Sequence, residues 1–143
     1  MRAEPLAVTA ALDDRKRLLD LLQAFAVEPV AGHRRDLLRL AIDLFDINQH
    51  FETPVDAGQR AELDALFDLI EIVEMSDPRS RLFVTRGLEL KGHLERYLHA
   101  RPLSLAAPPA DAEPALLARC ERLRERADLL LERFAPATLA IAA

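Results

Sequence analysis

Apolar residues recur along this chain at intervals of three and four, the period that lines side chains along one face of an α-helix. The first stripe holds Leu12, Leu18, Leu19, Leu22 and Phe25, and the second Leu37, Leu40, Leu44, Ile47 and Phe51. A third holds Leu63, Leu66, Ile70 and Val73 with Phe67 beside them, and a fourth holds Phe83, Leu90, Leu94 and Tyr97. No segment alternates apolar and polar residues as a half-buried strand does, so the pattern predicts an all-α protein.

Proline cuts the stripes apart. Pro5, Pro29, Pro54, Pro78 and Pro102 are spaced by 24, 25, 24 and 24 residues. Proline lacks the N–H that a helix interior needs and is tolerated only in the first turn, so each marks a boundary. Thr53-Pro54-Val55-Asp56 and Ser76-Asp77-Pro78 set capping side chains beside two of them. Four helices of ~20 residues, each ~30 Å long, joined by short turns predict an antiparallel up-down bundle over residues 1–101. A short helical solenoid is the alternative topology, although no side-chain motif repeats with the prolines.

Residues 102–114 carry the run "PLSLAAPPADAEP", a proline- and alanine-rich spacer with little to bury. A fifth helix is expected over 115–135. Its apolar positions Leu116, Cys120, Leu123, Ala127, Leu130 and Phe134 keep the 4-3 rhythm of a coiled-coil seam, suited to packing on the bundle or on a second subunit. Residues 136–143 form an apolar tail.

Composition narrows the classes. At 143 residues the chain is one domain's worth, large enough for a single core without staples. A formal charge of −5 with no Trp and one Tyr argues against a nucleic-acid binder. Cys120 is the only cysteine, which excludes an intrachain disulfide and a thiolate zinc site and fits a reducing cytoplasm. The N-terminal "MRAEPLAVTAALDDRKRLL" lacks the apolar core of a signal peptide, and charges interrupt every run before it reaches the ~20 residues of a membrane span. Seventeen arginines against Lys16 and Lys91 are read as a coding bias of the source genome, in keeping with a bacterial origin. Residues 43–77 hold ten acidic residues against Arg60, while residues 78–101 hold six basic ones against Glu89 and Glu95. Neighbouring helices of opposite charge are expected to pair, with a surplus of acid left over.

Chemistry-bearing patterns are few. Leu88-Glu89-Leu90-Lys91-Gly92 resembles, over five residues, the histidine phosphotransfer motif on a four-helix bundle, but Leu88 stands at the phosphoacceptor place and cannot take a phosphoryl group. The resemblance implies at most an inactive adaptor that docks receiver domains. Gly87, four after Phe83 and three before Leu90, falls in the helix stripe, where a missing side chain admits a close neighbour or leaves a shallow pocket. Asp46 with His50, Glu89 with His93, and Glu95 with His99 are each four apart on one helical face, and two such pairs meeting across a bundle would make a metal or small-ligand site. Neither the Glu-x-x-His di-iron pattern nor the HExxH zinc motif is present, so the solvated carboxylate–histidine face is the preferred reading. Cys120 in the seam reads as a buried, inert thiol, and Arg119, Arg122 and Arg126 among Glu121, Glu125 and Asp128 as a salt-bridged flank.

The expectation is a non-enzymatic cytoplasmic helical bundle, without cofactor, that binds another protein as adaptor, regulator or specialised chaperone and forms a homodimer. Two surfaces are expected to carry the interaction: the seam of Leu116, Leu123, Leu130 and Phe134, and a helical groove around Gly87, Leu94 and Tyr97.

Overall fold

The computed structural model describes the backbone of residues 3–49, 57–100 and 111–142, with side chains over 13–49, 57–100 and 111–134. Among the described residues there are five α-helices: α1 (Ala3–Val27), α2 (Ala31–Gln49), α3 (Ala57–Met75), α4 (Arg81–Ala100) and α5 (Pro114–Ala142). No strand occurs among the described residues, and the class is all-α as the periodicity requires.

The prolines act through local hydrogen bonding. The Val30 N–H, just past Pro29, donates to the Glu28 carboxylate at 3.2 Å, and the Val30 carbonyl accepts from Arg34 at 2.9 Å, so α1 stops and α2 starts within three residues. Pro78 lies in a turn rather than at the helix entrance itself. The Asp77 carboxylate accepts from the Arg79 N–H at 2.9 Å, and the Asp77 carbonyl accepts from the Ser80 N–H at 2.9 Å, which closes the turn. The Ser80 hydroxyl then accepts from the Phe83 N–H at 3.1 Å and caps α4, a role the sequence pattern assigned to Ser76 and Asp77. The backbone amide of Arg79, followed by its guanidinium, holds the Asp77 carboxyl below its usual value. At the far end, α5 continues past Pro136 to Ala142, through most of the expected tail. Thr53, Pro54, Asp56 and Pro102 lie outside the described residues.

The chain divides into two compact units, Met1–Glu52 with Leu103–Ala143, and Thr53–Pro102. In the first, α1, α2 and α5 each touch both of the others. Asp14 meets Arg124 and Arg17 meets Asp128, so α1 and α5 advance in the same direction. His33, at the start of α2, lies with its ring 4.8 Å from that of Phe134, late in α5, so α2 runs against α5. The unit is an up-down-up three-helix bundle whose third helix comes from the far end of the chain. Leu18, Leu22 and Phe25 are buried as their spacing predicts, joined by Leu21 and Ala24, whereas Leu19 of the same stripe is half-buried and the Leu12 side chain lies outside those described. Helix α2 buries more than its stripe: Leu38, Ala41, Ile42 and Phe45 are inside with Leu37, Leu40, Leu44 and Ile47. A helix packed on two neighbours needs an apolar arc wider than one stripe.

In the second unit α3 and α4 pack on each other as a hairpin. The predicted stripes form its core, Leu63, Leu66, Ile70 and Val73 from α3 and Phe83, Leu90, Leu94 and Tyr97 from α4, with Gly87 and Leu98 also buried.

Candidate functional site

At the end of the hairpin away from the Ser76–Ser80 turn, a pocket of about 400 Å³ opens between α3 and α4. Helix α3 contributes Glu62, Ala65 and Leu66, at i, i+3 and i+4 of one face. Helix α4 contributes His93, Arg96, Tyr97 and Ala100, at i, i+3, i+4 and i+7. Leu66 and Tyr97 are buried and form its depth, whereas Glu62, His93 and Arg96 are exposed at its mouth.

The α4 wall is ordered by contacts along its own helix. Arg96 Nη2 lies 3.0 Å from His93 Nδ1. A guanidinium only donates, so Nδ1 accepts and the ring N–H resides on Nε2. The guanidinium also folds back over Gly92, where an added Cβ would sit 3.5 Å from Arg96 Nη1. Helical side chains lean toward the N-terminus, which carries Arg96 over residues 92 and 93. No described side chain of opposite charge lies within ion-pair distance of either Arg96 or Glu62, so the pocket holds one positive and one negative group on facing walls.

Of the groove residues expected from sequence, Tyr97 lines this pocket, while Gly87 and Leu94 are buried in the hairpin core. The histidine–carboxylate pairs have other partners. Arg86 Nη1 donates to Glu89 at 2.9 Å and Lys91 Nζ to Glu95 at 2.7 Å, and His99 is exposed. Asp46 is half-buried on α2, and His50 lies outside the described residues. Among the described residues no three His, Cys, Asp or Glu side chains gather as metal ligands. Leu88, at the phosphoacceptor place of the phosphotransfer-like run, is 45% exposed.

The α5 seam is covered in part within the chain. Cys120, Ala127 and Phe134 are buried against α1 and α2, and Leu116, Leu123 and Leu130 are half-buried along one flank. Beside Cys120 runs a charged network. The Asp14 carboxylate, 0% exposed, accepts from Arg124 Nε at 2.8 Å and Nη2 at 2.6 Å, and from Arg17 Nη1 at 3.3 Å. Arg17 in turn donates to both Asp128 oxygens, at 2.8 and 3.3 Å. The bond to Asp128 raises the Arg17 pKa, and the bond to Asp14 raises that of Arg124. Burial pushes the Cys120 thiol up, with Arg124 working against it.

Sequence reasoning missed Glu62, Arg96 and Asp14. Asp14 did carry a signal, a charge four before Leu18 on an apolar stripe, which implies a buried counter-charge elsewhere. Comparison with known proteins brings no further guide: no family model, curated protein or solved structure matches the chain.

Proposed function

We propose that this chain is a non-enzymatic helical protein that binds another protein through the α3–α4 hairpin. The observation that carries the reading is the uncovered apolar surface of that hairpin. Ile72, Met75 and Leu82, which flank the turn between the two helices, are 48%, 80% and 51% exposed. Large apolar side chains gathered at one end of an element mark interaction surfaces, and covering a fully exposed one contributes about 1.5–3 kcal/mol, in proportion less for the half-exposed Ile72 and Leu82. The complement is a partner helix with apolar residues at i, i+3, i+4 and i+7. Such a module serves as adaptor, regulator or specialised chaperone in the cytoplasm, and a second copy of the chain is a candidate partner.

Photocrosslinking in the source cells tests the proposal. A photoreactive residue at Met75 is expected to give one discrete protein adduct, and one at exposed Gln23 of α1 none. A Met75→Glu, Leu82→Glu variant should lose the purified partner by at least about a hundredfold, the effect of two buried apolar anchors. An adduct of twice the chain's mass would identify the partner as a second copy. Equal adduct patterns at positions 75 and 23 would sink the proposal.

A further inference from the structure

We infer that the pocket at the open end of the α3–α4 hairpin binds a small zwitterion, an α-amino acid with a large apolar side chain. Its volume of about 400 Å³ falls in the range of roughly 300–1,000 Å³ of small-ligand sites. Its charge layout selects among ligands of that size. The α4 wall offers two charged or polar donors, the Arg96 guanidinium and the His93 Nε2–H, and suits a carboxylate. The α3 wall offers the Glu62 carboxylate and suits an ammonium group.

A simple anion would meet repulsion from Glu62, and a simple cation repulsion from Arg96. An uncharged apolar ligand would strip water from both groups and give neither a partner. A zwitterion gives each group a counter-charge. Arg96 is fit for a carboxylate because its fork is held back over Gly92 and against His93, so less freedom is lost on binding. Between the charged walls lie buried Leu66 and the Tyr97 ring, a surface for an aromatic or branched side chain, and Ala65 and Ala100 keep the mouth open. This site stands apart from the protein-binding surface proposed above, which lies at the turn end of the same hairpin, so each can fail alone.

The test is a titration of the ¹⁵N-labelled full chain with L-phenylalanine and L-leucine, followed by amide shifts and the Arg96 Nε–Hε signal. Saturable shifts confined to the pocket ends of α3 and α4 are expected. N-acetyl-L-phenylalanine, which lacks the ammonium charge, and L-phenylalaninamide, which lacks the carboxylate, should each bind about tenfold more weakly or worse, the loss of one charge-assisted hydrogen bond. Glu62→Gln and Arg96→Gln should weaken binding similarly while leaving the melting curve in place, since both residues are exposed. Absence of saturation with both amino acids, or equal binding of a blocked analogue, would overturn the inference. Unweakened binding to the two variants would do the same.

Discussion

In the three-helix unit the Asp14 carboxylate is fully buried and held by two guanidiniums, whereas in the hairpin Glu62 and Arg96 stand exposed on facing walls and do not pair. The apolar surfaces differ less, since both units expose large apolar side chains. In the seam of α5, Cys120, Ala127 and Phe134 are buried and Leu116, Leu123 and Leu130 half-buried, with Leu129 exposed beside them, while in the hairpin Ile72, Met75 and Leu82 are exposed around one turn. A buried charge already held by its partners has little to offer a ligand. The hairpin keeps charge and apolar surface in reserve, and recognition is assigned to it for that reason.

Breaking the internal pairing gives the largest expected effect. Arg124→Leu leaves the buried Asp14 with only the longer contact to Arg17, and should lower the unfolding free energy by about 3–5 kcal/mol in urea denaturation. Replacing Asp14 and Arg124 together by leucine should recover most of that loss, because the pair's attraction in the folded state is largely offset by its desolvation. A double variant as unstable as the single one would show that the pair does not act as a unit. In the hairpin, Leu94→Ala removes a fully buried side chain and should cost about 2–4 kcal/mol. Ser80→Ala removes the α4 cap and should cost about 1 kcal/mol, read most directly as faster amide exchange at Phe83.

The pH dependence has a defined sign. Because burial raises the Cys120 pKa in the folded chain, its stability contribution is present in full below the unfolded thiol value of about 8.5 and is lost as pH rises through the folded value. The difference in urea midpoint between the parent and Cys120→Ala should therefore stay constant to about pH 8 and shrink above it. A difference independent of pH up to 10 would contradict the placement of the thiol. Smallest of all, Met75→Glu with Leu82→Glu should change stability by no more than about 0.5 kcal/mol while abolishing partner binding. A large loss of stability would mean that the turn end is part of the fold rather than a surface held for a partner.

Much of the helical framework was legible because local rules write it. The stripe Leu37, Leu40, Leu44, Ile47 marks an inner face, and Pro29 and Pro114 stand where helices stop and start. The Ser80 cap was within reach but was misplaced by a few residues, since Ser76, Asp77 and Ser80 all carry side chains able to accept an N–H and only the turn decides among them. Tyr97 was singled out and does line the pocket, while Glu62 and Arg96 were not, because on exposed helix faces they look like any other charge. Asp14 and Arg124 lie 110 residues apart, and nothing local links them.

By itself, then, the amino-acid sequence determined the all-α class, the helices among the described residues and much of the face that α2, α3 and α4 turn inward, since periodicity, capping and proline geometry act over one or two turns. Which helices pair was decided in three dimensions: α5 parallel to α1, α2 against both, and α3 with α4. An apolar stripe records that a face is buried and is silent on what buries it. The partner is chosen by shape and by long-range charge, and the pocket between α3 and α4 exists only once that choice is made.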